Sequence, residues 1–215
     1  MSKVGVIDYG SGNIFSLARA VEKVGFDVLL ISSPEQINEV DRYILPGVGA
    51  FGTVMQKLED NGFNKALISV AKQGKPLLGI CVGMQVLFDV SREFGEQEGL
   101  GVMGGEVEKI PHLDINGTQN RIPHIGWAEL IYEHGDGNRQ LVGELFESIN
   151  DRASFYFVHS FAALPADEDI SVAHTVYGGH PITGAVRKGM VFGTQFHPEK
   201  SGTAGLQLLV NFLRL

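Results

Sequence analysis

"PLLGICVGMQVLF" (residues 76–88) contains the only cysteine among 215 residues. The five residues before Cys81 are continuously apolar, which is typical of a strand that is covered on both faces of a parallel sheet. The segment after it, residues 83–91, has the pattern of a helix. We therefore predict that Cys81 lies on the turn between a buried strand and a helix, where the G-x-[Ser/Cys]-x-G nucleophile elbow places its reactive residue.

The residues around Cys81 suit a nucleophile. Gly79 and Gly83 lie two positions to either side, and small neighbours let the strand and the helix pack closely around a strained turn. The N-terminus of the predicted helix favours a thiolate, and the amide of Val82 is placed to hold an oxyanion. The alternative is that Cys81 only fills a buried strand, as most buried cysteines do. The glycine spacing at a strand-to-helix junction favours the nucleophile.

Strands and helices alternate outward from this turn, which indicates a parallel sheet with helices on both faces. The N-terminal half has strand patterns at 4–8, 26–31, 43–45 and 76–80, and helical patterns at 14–25, 53–62, 63–74 and 83–91. The C-terminal half has strand patterns at 105–110, 127–132, 154–161, 170–177, 182–189 and 190–196, and a last helix at 203–215. We predict one α/β domain, residues 1–215, whose mostly parallel sheet is extended by antiparallel strands in the C-terminal half.

The composition indicates which kinds of binding partner and which cellular compartment to expect. The formal net charge is −8, and an acidic surface repels phosphate backbones, so we expect no nucleic-acid partner. A single cysteine forms no internal disulfide, and no apolar run suits a signal peptide or a membrane span. We therefore expect a cytoplasmic protein without a membrane partner. No two histidines have helical i, i+4 spacing, so we expect neither a metal nor another cofactor.

A reactive cysteine needs a base, and His197 is the best candidate among seven histidines. It follows the apolar strand pattern 190–196, where the carboxyl edge of a sheet opens to a crevice. Glu199, two residues further on, can hold one ring nitrogen and leave the other facing the sulfur. His159, in the aromatic strand pattern 154–161, is the rival base, although a structural or substrate-lining role suits it better.

The glycine-rich stretch "PGVGAFG" (residues 46–52) lacks the G-K-[ST] of a phosphate loop and follows the third strand rather than the first. Beside a nucleophile, its amides can instead be directed at a carbonyl oxygen. A plain connection between a strand and a helix is the alternative.

Taken together, six motifs resemble the class I (triad-type) glutamine amidotransferases over essentially the whole chain, and most closely the glutaminase subunits of imidazole glycerol phosphate synthases. They are "DYGSGN" (8–13), "LPGVGAFG" (45–52), "GICVGMQ" (79–85), "PHIGW" (123–127), "FYFVHSF" (155–161) and "FHPEKSG" (196–202). The resemblance implies that Cys81 attacks the side-chain amide of glutamine, that His197 relays the proton and that Glu199 orients His197. A γ-glutamyl thioester then forms and is hydrolysed to glutamate, with release of ammonia.

The resemblance also implies three groups of further residues. Amides of Val82 and of the Val48–Gly49 peptide would form the oxyanion hole, and the glycines around Val48 would ease reorientation of that peptide. Gly49, Gln85, Glu93, Ser160 and Phe161 would contact glutamine, the last two mainly through their backbone. Asn13, Trp127 and Lys200 would contact a (β/α)8-barrel cyclase subunit in a heterodimer, and we expect Trp127 in a loop.

Two positions depart from the family pattern. Val82 stands where leucine is frequent, which is harmless because only its amide is used, and Ala128 stands where asparagine is frequent. The second difference removes a polar group near the expected interface. It leaves open the alternative that the chain is a glutaminase serving another synthase, such as one for nucleotide-sugar amidination or pyridoxal phosphate. Two further alternatives are a cysteine hydrolase or protease on a similar sheet and a non-catalytic regulatory subunit.

Overall fold

A computed structural model describes residues 3–132 and 144–215. In chain order its strands are β1 (Lys3–Ile7), β2 (Asp27–Ile31), β3 (Arg42–Gly47), β4 (Leu77–Cys81), β5 (Val90–Ser91), β6 (Gln97–Glu98), β7 (Gly105–Lys109), β8 (His124–Glu129), β9 (Ile131–Tyr132), β10 (Ser154–His159), β11 (Phe161–Pro165), β12 (Ser171–Tyr177), β13 (His180–Lys188) and β14 (Val191–Thr194). The α-helices include α1 (Ile14–Lys23), α2 (Phe51–Asp60), α3 (Phe63–Lys72), α4 (Val82–Gln85) and α5 (Gly202–Arg214). Short 3₁₀ helices lie at Pro34–Glu39, Glu168–Ile170 and Pro198–Lys200.

The central sheet has eight strands in the order β2-β1-β3-β4-β14-β13-β12-β9. The pairings from β2 across to β14 are parallel, and those from β14 to β9 are antiparallel. The predicted fold class, a parallel sheet extended by antiparallel strands from the C-terminal half, is confirmed. Glycine-containing turns join β12 to β13 and β13 to β14, as hairpins require.

Helices cover the sheet with amphipathic faces. In α1, Ile14, Leu17 and Val21 recur at helical spacing and all are buried. Every residue of β4 is buried, as its continuous apolar sequence predicts for a strand in the middle of a covered sheet. In the described part of the chain, no helix is both long and apolar enough to cross a membrane.

The helix after Cys81 is shorter than predicted. The pattern over residues 83–91 is helical, yet α4 ends at Gln85 and residues 90–91 form β5. The carbonyl groups that would continue the helix are used by another segment, since those of Val86 and Phe88 accept from the amides of Leu100 and Gly101. These tertiary hydrogen bonds replace the helical ones.

Two small sheets that the sequence did not indicate also form, one of them joining strands from both halves of the chain. The predicted strand 154–161 is split, because β10 pairs with β8 and β11 pairs with β7 in a four-stranded sheet. The expectation that "PHIGW" forms a loop is wrong. Residues 124–127 lie in β8 and pair with β10, whose alternately buried Phe155 and Phe157 hold the two-stranded sheet against the core.

Candidate active site

Cys81 is the last residue of β4 and has the backbone angles φ 54° and ψ −115°. A residue other than glycine held at such a positive φ costs about 1–3 kcal/mol. The turn is packed so closely that a Cβ on Gly83 would lie 2.0 Å from the carbonyl oxygen of Leu45, and one on Gly47 would lie 2.2 Å from the amide nitrogen of Gly83. Glycine is therefore required on this turn, as the G-x-C-x-G spacing predicts.

The sulfur of Cys81 is enclosed by polar groups of the protein. Only 4% of the residue is exposed. The thiol donates to the carbonyl oxygen of Val158 at 3.9 Å, and the side-chain Nε2 of Gln195 donates to the sulfur at 3.6 Å. Gln195 is fully buried. The sulfur thus has a hydrogen-bond donor that the sequence patterns did not indicate.

His197 and Glu199 form a buried pair directly after β14. Nδ1 of His197 donates to Oε1 of Glu199 at 2.9 Å. Burial lowers the pKa of His197, but hydrogen bonds and charge attraction from Cys81 and Glu199 outweigh this and raise it from 6.5 to about 9. The structure therefore brings sulfur, imidazole and carboxylate together at the carboxyl edge of β4 and β14, and it favours the imidazolium form of His197.

His159 is not available as the base. Its Nδ1 lies 3.0 Å from the carbonyl oxygen of Phe161, which only accepts, so this nitrogen carries the proton. Its Nε2 then accepts from Nδ1 of His124 at 3.2 Å. Burial, together with His124, lowers the pKa of His159 to about 4. With a neutral ring and both nitrogens bonded, His159 has no free acceptor for the thiol proton.

The three residues predicted for the oxyanion hole line one cavity with Cys81. This cavity has a volume of about 420 Å³, and Val48, Gly49 and Val82 lie on its wall. Gly49 has φ +97°, which favours glycine at this position. Val82 begins α4, and its amide is the first after the sulfur-bearing residue.

The residues predicted to contact a substrate, Gln85, Glu93, Ser160 and Phe161, line the same cavity as Gly49. Glu93 already has a partner inside the protein, because its Oε2 accepts from the amide of Phe51 at 2.7 Å. This carboxylate therefore also holds the first residue of α2, which follows the glycine-rich loop. No helical or strand pattern in the sequence indicates this contact across 42 residues.

The carbonyl groups of Ser160 and Phe161 are likewise engaged. The Ser160 carbonyl accepts from the amide of Ile110 at 3.0 Å. The Phe161 carbonyl accepts from Nε2 of Gln85 at 2.9 Å, as well as from His159. The Phe161 carbonyl thus already accepts two hydrogen bonds and has no lone pair left for a substrate, whereas the Ser160 hydroxyl can contact one.

The three residues predicted for a partner interface lie close to the imidazole–carboxylate pair. Trp127 on β8 is 58% exposed and stands opposite Tyr156 on β10, with ring centroids 6.2 Å apart. Nζ of Lys200 lies 5.9 Å from the ring centre of Tyr156. Asn13, just before α1, lines a cavity of about 10 Å³ together with Glu199. Trp127, Tyr156 and Lys200 are thus neighbours on the surface.

Two further residues at the site, Gln195 and Tyr9, were missed. Gln195 lies on the bend that follows β14, two residues before His197, and the signal that could have found it is its place as a polar residue inside the apolar pattern 190–196. The hydroxyl of Tyr9 donates to the carbonyl of Pro46 at 2.9 Å, and burial, with the charge of Cys81, raises its pKa. Tyr9 ties the N-terminal loop to the glycine-rich loop, a contact that no local pattern shows.

Residues 3–132 and 144–215 contain no group of three or more histidine, cysteine, aspartate or glutamate side chains arranged to hold a metal ion.

We predict that Glu199→Gln lowers the pKa of His197, because the buried imidazolium loses one of its two favourable partners, the other being Cys81, while the effect of burial remains. An NMR titration of the ring nitrogens measures this shift. In the wild type, the raised pKa stabilises the fold fully below pH 6.5, and this contribution disappears as the pH rises through about 9. The variant should lose part of that pH dependence of the unfolding free energy, since the contribution of Cys81 remains, and an unchanged imidazole titration would contradict the prediction.

Comparison with known protein families gives a full-length match. The model of the family described as glutamine amidotransferase class-I matches residues 5–215. Subunit HisH 1 of imidazole glycerol phosphate synthase from Legionella pneumophila (strain Lens) is 42% identical over 215 residues, which cover 100% of both chains. The corresponding HisH subunit from Geobacter sulfurreducens is 40% identical over 213 residues, covering 99% of this chain and 98% of the relative. That from Geobacillus sp. (strain WCH70) is 39% identical over 209 residues, covering 97% and 95%.

Solved structures with the same fold are more distant in sequence. PurLQS from Thermotoga maritima has a TM-score of 0.73 at 20% identity, covering 100% of this chain and 99% of that one. A structure described as a putative GMP synthase subunit from Thermoplasma acidophilum has a TM-score of 0.69 at 18% identity, covering 100% and 93%. A structure described as a glutamine amidotransferase has a TM-score of 0.69 at 22% identity, covering 98% and 97%. These likenesses support the fold.

Proposed function

This chain belongs to the class-I glutamine amidotransferase family, and we propose that it is the glutaminase subunit of an imidazole glycerol phosphate synthase in histidine biosynthesis. The proposal rests on the position of Cys81, His197 and Glu199, which lie together at one sheet edge beside the 420 Å³ cavity. It is supported by full-length relatives that are named as this subunit. The reaction is the hydrolysis of L-glutamine to glutamate and ammonia.

In the proposed reaction, the three side chains act one after another. His197 takes the proton of the Cys81 thiol, and the sulfur attacks the side-chain carbonyl carbon of glutamine. The imidazolium then gives its proton to the leaving nitrogen, the C–N bond breaks, and ammonia departs from a γ-glutamyl thioester. Water attacks the thioester after giving a proton to His197, which returns it to the sulfur as glutamate leaves. Glu199 keeps Nδ1 protonated throughout and stabilises the imidazolium.

The tetrahedral intermediates carry a negative oxygen, which needs donors on the cavity wall. We assign this role to the amide of Val82 and to an amide of the Val48–Gly49 peptide, which lie beside Cys81 on that wall. Gln85, Glu93, Ser160 and Phe161 are assigned to the amino-acid end of glutamine, together with Gly49. These polar groups lie on the same wall as the nucleophile, which is where a substrate that reaches the sulfur must rest.

The ammonia is passed to a partner protein, a (β/α)8-barrel cyclase that forms a heterodimer with this chain and makes imidazole glycerol phosphate and the aminoimidazole carboxamide ribotide. The surface formed by Trp127, Tyr156 and Lys200, with Asn13, is the proposed contact. Tryptophan and tyrosine are enriched among the residues that contribute most to binding at such interfaces, and here the exposed Trp127 stands opposite Tyr156. A cytoplasmic location for the pair is part of the same proposal.

The test measures glutamate release by the purified chain with and without the cyclase and its nucleotide ligand. We expect turnover to rise sharply when both are added. Trp127→Ala should weaken association by about 2 kcal/mol, which is about 30-fold in Kd, because truncation of a central aromatic residue removes a hot spot. Titration calorimetry measures Kd, and circular dichroism checks that the fold is retained.

Leu164→Ala is the matched control, because Leu164 is a half-exposed apolar residue on β11 and lies outside the proposed contact. It should leave Kd within about twofold. An unchanged Kd for Trp127→Ala would remove this residue from the interface. Glutamine turnover that is insensitive to the histidine-pathway cyclase, but is stimulated by another synthase, would identify a paralogous glutaminase.

A further inference from the structure

A buried chain of hydrogen bonds leads away from the sulfur into the protein. Nε2 of Gln195 donates to the sulfur of Cys81 at 3.6 Å, and Oε1 of Gln195 accepts from Nε2 of Gln85 at 3.0 Å. Nε2 of Gln85 also donates to the carbonyl of Phe161 at 2.9 Å. Both glutamines are at least 97% buried, so these amides depend on one another rather than on water.

The orientation of both amides is determined by the backbone carbonyl at the end of the chain. The carbonyl of Phe161 only accepts, so the group of Gln85 that faces it must be the NH₂ group. That same NH₂ group faces Gln195, which must therefore present its oxygen to Gln85. The other end of the Gln195 amide, the end that faces the sulfur, is then an NH₂ group, which only donates.

The Phe161 carbonyl is itself held from two sides. Nδ1 of His159 donates to it at 3.0 Å, while Gln85 donates at 2.9 Å. His159 is in turn held by His124. The direction of the hydrogen bonds is therefore imposed by groups that do not reverse, and rotation of either glutamine amide would bring two acceptors or two donors face to face.

We propose that Gln195 is a catalytic residue whose side-chain NH₂ group donates a hydrogen bond to the sulfur of Cys81 in its thiolate form, with Gln85 as the positioning residue that keeps this group turned toward the sulfur. The inference deepens the proposed function and rests on Cys81 being its nucleophile.

The physical need for this donor comes from the surroundings of the sulfur. A thiolate that is 96% buried loses most of its hydration, and the carbonyl of Val158 on another side can only repel it once the thiol proton has left. The imidazolium of His197 supplies one favourable partner. The NH₂ group of Gln195 supplies a second, and a hydrogen bond to a charged atom is among the stronger ones in proteins.

The experiment follows the reactivity of the thiol in Gln195→Met, a substitution that keeps the length of the side chain and removes its donor. The second-order rate of alkylation by iodoacetamide is measured against pH on the purified full chain. We expect the rate at pH 7 to fall about tenfold or more and the pH of half-maximal rate to move upward, because a smaller fraction of the sulfur is thiolate. With the cyclase present, kcat should fall about 10- to 100-fold, with KM within about threefold.

Gln207→Met is the matched control. Gln207 also donates through its side-chain amide, to Asn211 on α5, but it lies outside the cavity. Its alkylation profile should overlay that of the wild type. Gln85→Met tests the positioning role without touching the sulfur, and it should move the alkylation profile in the same direction by a smaller amount.

An alkylation profile of folded Gln195→Met that overlays the wild type would overturn the proposal, as would a lower pH of half-maximal rate. If Gln195→Met does not fold, Gln85→Met decides, and an unchanged profile in that variant would overturn it. Alkylation requires neither glutamine nor the partner. A chain that shows the expected alkylation shift but no cyclase-stimulated glutaminase activity would therefore contradict the proposed function alone.

Discussion

Cys81→Ala is expected to lower glutamine hydrolysis by at least about 10⁴-fold, because no other side chain on the cavity wall can form the γ-glutamyl thioester. Alanine is used rather than glycine because alanine keeps the Cβ of cysteine. The backbone strain at φ 54° is then the same in the variant as in the wild type. The fold and the binding of the cyclase should therefore be preserved. Glutamate release gives the turnover, and mass spectrometry of quenched wild-type enzyme detects the acylated chain, which should be absent from the variant.

Cys81→Ser is the companion variant, since it keeps a nucleophilic atom at the same position in a much less acidic group. It should bind the cyclase as tightly as the wild type and turn over glutamine far more slowly. Equal ammonia release by wild type and Cys81→Ala would show that Cys81 is not the nucleophile, and it would favour a regulatory role or a different site.

His197→Ala is expected to lower turnover by at least about 10³-fold, because the thiol loses its proton acceptor and the leaving nitrogen loses its proton donor. The rate of thiol alkylation at neutral pH should fall as well, since the imidazolium that stabilises the thiolate is gone. Single-turnover kinetics with the cyclase bound separates the loss of chemistry from any loss of glutamine binding.

His112→Ala serves as the histidine control, because this exposed side chain lies outside the cavity. It should retain turnover within about twofold. Near-normal turnover in His197→Ala would return the role of base to His159. That result would be hard to reconcile with a ring whose two nitrogens are already bonded to Phe161 and His124.

Local patterns were sufficient for the architecture and for the turn that carries Cys81. The continuously apolar β4, the helical spacing of α1 and the glycine turns between β12, β13 and β14 each follow from neighbouring residues. The need for Gly79 is equally local, because a Cβ there would lie 2.6 Å from the carbonyl oxygen of Gly83 on the turn that follows, whereas Gly83 itself is required by the backbone of Leu45 on β3. These features depend on side-chain size and backbone sterics over a few residues, which a sequence states directly.

The errors arose where distant segments compete for the same backbone groups. Helix α4 stops at Gln85 because the amides of residues 99–103 donate to the carbonyls of residues 86–89, and β8 forms because β10 is available to pair with it. Such partners are far away in the chain. No periodicity within a short window records them, so propensity alone extended the helix and assigned a loop.

The sequence by itself determined that this chain is an α/β glutamine amidotransferase with its cysteine on a glycine-flanked turn, because the apolar strand, the turn residues and their spacing are properties of adjacent residues. Only the tertiary structure decided which histidine faces the sulfur, which one is held neutral, and that Gln195 donates to the sulfur. The physical reason is that protonation states and hydrogen-bond directions depend on burial and on partners brought together from separate strands. Those partners, the carbonyl of Phe161 above all, become neighbours only when the sheets have formed.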